Sequence, residues 1–117
     1  MGRLSTHVLD TSRGKPAVGI EIRLSIFEGG DARHIKTTFT NGEGRTDEPL
    51  LADQHLAVGR YELVFGAGAY FRALGEKLLE PSFLDHVVIR FGIADASANW
   101  HVPLLISPYG YSTYRGS

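Results

Sequence analysis

The sequence predicts an all-β sandwich, and three observations carry that prediction. Val18, Ile20, Ile22, Leu24 and Ile26 fall on one face of an extended segment, with Gly19, Glu21, Arg23 and Ser25 on the other. A helix would scatter those apolar residues around its circumference, whereas a strand with one buried face lines them up. Clusters of Gly, Asn, Asp and Pro then interrupt the alternation at short intervals, as the turns of a sandwich require. One stretch only, residues 67–74, abandons the period of two, with Tyr70, Ala73, Leu74 and Lys77 at helical spacing.

In chain order, the first strand covers residues 4–9 and stops at Asp10-Thr11-Ser12-Arg13-Gly14, with Pro16 before the next. The second is the alternating segment 18–26, ended by Glu28-Gly29-Gly30-Asp31. Residues 34–40 alternate around Ile35, Thr37 and Phe39, and Asn41-Gly42-Glu43-Gly44 closes that strand. Residues 61–65, 87–91 and 100–106 follow as strands, and 111–117 close the chain after Ser107-Pro108-Tyr109-Gly110. The helix between them ends near Gly75 or Pro81. Seven or eight short strands and one helix, without repeat or linker, make a single sandwich domain over residues 1–117.

Composition narrows the function classes. With 117 residues, 43% hydrophobic and 21% charged, the chain has the make-up of an ordinary globular domain. The formal net charge of −1, with both signs interspersed, offers neither a nucleic acid nor an anionic membrane a basic surface. A near-neutral surface does permit self-association. Without cysteine there is no disulfide framework, thiol nucleophile or Cys-based zinc site. No apolar run reaches the ~20 residues of a membrane-spanning helix, and no signal-peptide core follows Met1, so the expected location is cytoplasmic.

The familiar catalytic signatures are absent: no phosphate-cradling Gly-rich loop, no HExxH, no nucleophile elbow. Five isolated histidines remain, His7, His34, His55, His86 and His101. His7 shares a strand face with Ser5 and Leu9, and the pattern alone leaves open whether that face is the core. His101 says more. Trp100, Val102, Leu104 and Ile106 form one face of its strand, while Asn99, His101, Pro103, Leu105 and Ser107 form a second face that also avoids charge. Such a second face suits a partner subunit or a ligand, and Pro103 implies an edge or a locally broken ladder.

If Pro108-Tyr109-Gly110 is a three-residue hairpin loop with Gly110 left-handed, Pro103 lies opposite Arg115 and His101 opposite Ser117. That register gathers an imidazole, a guanidinium, a hydroxyl and the terminal carboxylate on one face. A two-residue loop would put His101 opposite Gly116 and is expected to break the cluster. Arg45 stands in the Gly-rich turn 41–47, where a lone Arg is ordinarily solvated.

Three blocks of the chain together resemble the 5-hydroxyisourate hydrolase branch of the transthyretin-like family. They are Leu4-Ser5-Thr6-His7-Val8-Leu9-Asp10-Thr11 with Gly14-Lys15-Pro16-Ala17, then Thr40-Asn41-Gly42-Glu43-Gly44-Arg45, and the segment 101–117 ending in Tyr114-Arg115-Gly116-Ser117. Gly68-Ala69-Tyr70-Phe71 fits the family's short helix. The resemblance spans essentially the whole chain, and its C-terminal block separates the hydrolases from hormone-carrying transthyretins. It implies a sandwich of two four-stranded antiparallel sheets with one short helix. It also implies a homotetramer (a dimer of dimers) with active sites in the intersubunit channel, and a hydrolase with no metal and no cofactor.

Carried over by motif, the site falls on His7 and His101 as catalytic residues, with His7, Arg45 and Ser117 binding substrate and Tyr114 and Arg115 supporting them. The implied reaction opens the six-membered ring of 5-hydroxyisourate at an amide bond. His101 is the expected base, Arg45 the oxyanion partner, and Ser117 a substrate or water ligand. Three departures stand out: Asn99-Trp100 before His101, Glu43 in the turn, and an unusual stretch at 76–86. A His7–His101 zinc site lacks an evident third protein ligand. The alternative function is a transthyretin-like carrier that uses the same channel to bind a small molecule without catalysis.

Overall fold

Strand β1 (Arg3–Asp10) settles the face that the sequence leaves open. In the computed structural model, which describes residues 2–117, Leu4, Thr6, Val8 and Asp10 are buried, so Arg3, Ser5, His7 and Leu9 look away from the core. Thr6 is tolerated inside because its hydroxyl donates to the Val102 carbonyl at 2.7 Å. The remaining strands are β2 (Lys15–Pro16), β3 (Glu21–Glu28), β4 (Asp31–Phe39), β5 (Leu51–Ala52), β6 (Gly59–Phe65), β7 (Val87–Ile93), β8 (Trp100–Ser107) and β9 (Gly110–Thr113). Helix α1 (Ala67–Ala73) lies between β6 and β7.

The expected sandwich of two sheets is present. One sheet runs β2-β1-β8-β9, with β5 also pairing β1, and the other runs β4-β3-β6-β7. Their inner faces meet in one core, to which Leu4, Val8, Leu104 and Ile106 contribute from the first sheet and Ile22, Leu24, Leu63 and Phe65 from the second. Two details depart from the four-on-four antiparallel expectation. Two-residue strands β2 and β5 give the first sheet five strands, and β1 and β8 run parallel, with Ser5 opposite His101 and His7 opposite Pro103. A parallel pair needs a long crossover, and here nearly the whole chain supplies it.

Two strands correct the sequence reading. Val18 lies before β3 and is 53% exposed, so the buried stripe begins at Ile20. In β4 a bulge opposite Leu24 and Ser25 makes Ile35 the extra residue. The bulge shifts the parity of the strand, so the expected Ile35–Thr37–Phe39 face does not point uniformly inward, and Phe39 is 56% exposed.

The helix ends where expected. Gly75 at φ +80° follows Leu74, with Gly75 N–H donating to the Arg72 carbonyl and Glu76 N–H to that of Phe71, a Schellman stop. The helix buries Ala67, Gly68, Tyr70 and Phe71 instead of a Tyr70–Ala73–Leu74 stripe. Beyond it, Leu78 and Leu84 of the unusual stretch pack against the core. Among the described residues no helix is long and apolar enough to cross a membrane.

Asp10 is the one buried carboxyl among the described residues. Its Oδ1 accepts from the Ser12 N–H and hydroxyl, and its Oδ2 accepts from the Tyr70 hydroxyl at 2.9 Å. Burial, then the bond to Asp10 and its charge, push the Tyr70 phenol up to about 12. The fold therefore favours the neutral phenol: this stabilisation is complete below the unfolded value of ~10 and is lost as pH rises through about 12. Tyr70→Phe is expected to cost about 1–3 kcal/mol at neutral pH, because Asp10 loses a buried donor. Denaturant titrations should show that cost shrinking above pH ~10.

Candidate active site

The turn at residues 41–46 is built from its own side chains. Asn41 Oδ1 accepts from the N–H groups of Glu43 (2.9 Å) and Arg45 (3.2 Å), and Asn41 Nδ2 donates to Asp47. The turn docks on β1, where Val8 N–H donates to the Gly44 carbonyl at 2.8 Å. Gly44 takes φ +76° and passes so close to β1 that a Cβ there would lie 2.4 Å from the Val8 carbonyl oxygen. That docking brings Arg45 beside the outer face of β1.

The last hairpin corrects the predicted register. Ser107 pairs with Gly110, Ile106 with Tyr111 and Leu104 with Thr113, so the loop is Pro108-Tyr109 alone, and Gly110 takes no left-handed φ. His101 consequently faces Gly116, not Ser117. The cluster expected of the other register does not form as a whole, since Arg115 turns elsewhere, but His101 and Ser117 still line one cleft. The ladder lapses after Thr113, whose hydroxyl donates to the Pro103 carbonyl at 2.8 Å, and is regained where Gly116 N–H donates to the His101 carbonyl at 2.7 Å. Pro103 marks the locally broken ladder, on an interior strand and not at an edge. Gly116 lies flat on the imidazole: a Cβ there would sit 2.6 Å from His101 Cδ2.

The result is a cleft of about 310 Å³ lined by Arg3, Ser5, Arg45, Asn99, His101 and Ser117. His101, Arg45 and Ser117 thus meet, as the family resemblance implies. His7 sits on the same face two residues beyond Ser5, its Nε2 donating to the Glu43 carbonyl at 3.0 Å. Tyr114 and Arg115 line a neighbouring cavity instead. Arg115 does not face Pro103: its guanidinium stacks 3.9 Å over the Trp100 ring and donates to the Asn99 carbonyl. A roomier cavity of about 920 Å³ between Phe27, Arg60, Arg90 and Phe91 contains neither a histidine nor a carboxylate.

Burial first, then electrostatic repulsion from the Arg45 guanidinium and from His7, hold the pKa of His101 below the ordinary ~6.5. The ring is therefore neutral at physiological pH. Arg45→Gln is expected to move the NMR titration midpoint of His101 upward, yet not fully to ~6.5, because burial remains. A midpoint that stayed put would deny Arg45 its electrostatic hold.

A family profile described as HIUase/Transthyretin family matches residues 4–116. The chain belongs to that family. It is 62% identical over 117 residues to 5-hydroxyisourate hydrolase 2 of Rhizobium meliloti (strain 1021), covering 99% of this chain and 97% of that one. The solved 5-hydroxyisourate hydrolase of Klebsiella pneumoniae superposes with a TM-score of 0.82 at 38% identity, each chain covered in full. Sea bream transthyretin in complex with thyroxine superposes with a TM-score of 0.86 at 23% identity, over 97% of this chain and 94% of that one, a likeness of fold alone. For a HIUase/Transthyretin chain the sequence reading overlooked two groups in the cleft, Arg3 and Ser5. The signal was available: both share the period-two face of His7. What was missing was the parallel pairing that lays this face beside His101.

Proposed function

We infer that this protein hydrolyses 5-hydroxyisourate to 2-oxo-4-hydroxy-4-carboxy-5-ureidoimidazoline, a step of urate degradation towards allantoin. The observation that carries the reading is one cleft in which a neutral imidazole, a guanidinium and Ser117 converge. Identity to hydrolases along nearly the whole chain supports it. His101 takes a proton from water as the water oxygen attacks the ring carbonyl. The charge that develops on that oxygen faces the Arg45 fork. The imidazolium then returns the proton to the departing nitrogen as the C–N bond breaks. His7 keeps its own Nε2 proton on the Glu43 carbonyl, leaving Nδ1 to share a proton with, or orient, the substrate. Ser117 binds the substrate or holds the water.

The same reading includes a cytoplasmic homotetramer assembled as a dimer of dimers. Strands β7 and β9 each end a sheet and offer the open edges that such pairing uses. The decisive assay follows the decay of freshly made 5-hydroxyisourate with and without purified protein, after subtraction of the spontaneous reaction. Acceleration proportional to protein concentration is expected; none at all would return the protein to the carrier reading.

A further inference from the structure

We propose that Ser5 is a positioning residue that holds His101 in the tautomer with the proton on Nδ1, so that the lone pair of Nε2 faces the cleft. The proposal rests on the hydrolase reading for its kinetic consequence, and on geometry for its substance. Ser5 and His101 are directly paired across the parallel β1–β8 ladder, so their side chains leave the sheet on the same face. The Ser5 hydroxyl lies 2.8 Å from His101 Nδ1, while the described residues make no hydrogen bond to Nε2.

A hydroxyl can donate or accept, and the two choices have opposite outcomes. If it donated, Nε2 would carry the ring proton and could not take one from water. One neighbour favours acceptance. Arg45, which lines the same cleft, favours a lone pair towards itself over an N–H. The ring is fixed from its other edge as well, because Gly116 packs against Cδ2 and limits its rotation. Ser5 thus does for His101 what the orienting group of a catalytic dyad does for its base.

The test reads the tautomer directly. Long-range ¹H–¹⁵N correlation spectra of histidine-labelled wild-type protein at neutral pH should show a protonated, pyrrole-type Nδ1 and a pyridine-type Nε2 for His101. Ser5→Ala should move the population towards the Nε2–H form and lower kcat roughly tenfold, with KM within about twofold. Ser5→Thr, which keeps the hydroxyl, should restore both. A pyridine-type Nδ1 in the wild type would overturn the proposal, and so would a Ser5→Ala protein with unchanged tautomer and kcat. The wild-type spectrum needs no variant, so misfolding of Ser5→Ala would not shelter the idea. Failure of the hydrolase reading would look different: no acceleration of 5-hydroxyisourate decay by the wild-type protein, whatever the spectrum shows.

Discussion

Replacing His101 with alanine should lower turnover of 5-hydroxyisourate by roughly 10²-fold or more, the usual cost of losing a positioned general base. The fold should survive, because His101 is only half-buried and its main-chain bonds to β1 and Gly116 do not depend on the ring. Substrate affinity should change less than turnover, since Arg45 and Ser117 remain in the cleft. Steady-state kinetics on the variant, paired with a thermal melt, separate the two effects. A variant that matched the parent rate would strip His101 of its role and leave the cleft as a binding site.

Gly44→Ala should be strongly damaging for a single added methyl. The substitution must adopt φ +76°, which costs an L-residue about 1–2 kcal/mol. It must also push its Cβ away from a backbone oxygen only 2.4 Å distant, and the usual cost of overpacking is about 1–3 kcal/mol. Together these predict a loss of about 3 kcal/mol and a fall in Tm on the order of 10 °C. Activity should fall further than stability explains, because the displaced turn carries both Arg45 and the Glu43 carbonyl that holds His7. Gly42→Ala is the control within the same turn. Its Cβ would meet open space at an ordinary φ, so melt and activity should match the parent. Equal behaviour of the two variants would refute the docking argument.

The strands were legible because burial of one sheet face imposes a period of two, and residues 20–26 and 100–106 display it. The helix was legible from its spacing and its Gly75 stop. What escaped is non-local. The bulge at Ile35 leaves no mark in the local pattern, because an extra residue alters the partner strand's register, not the identity of its neighbours. The parallel partnership of β1 and β8 could not be read from either strand alone, and with it went Ser5. The last hairpin turned on whether Gly110 belonged to the loop or to the strand; Pro108 suits either, and only the pairing of Ser107 with Gly110 decides. His101, Arg45 and Ser117 were therefore nameable from motifs, while Arg3, Ser5 and the arrangement of the cleft were not.

The hydrogen bond between Ser5 and His101 joins positions 96 residues apart. Closing so long a loop carries an entropic cost that no local contact offsets, and chains dominated by such pairings fold slowly. A nascent chain that lacks its last two strands holds β1 with its polar face ready and nothing to pair with along its β8 edge. No intermediate without the β1–β8 pairing can assemble this cleft, so recovery of activity on refolding should trail the recovery of β-sheet signal. The chemistry becomes available only when the two ends of the chain have found each other.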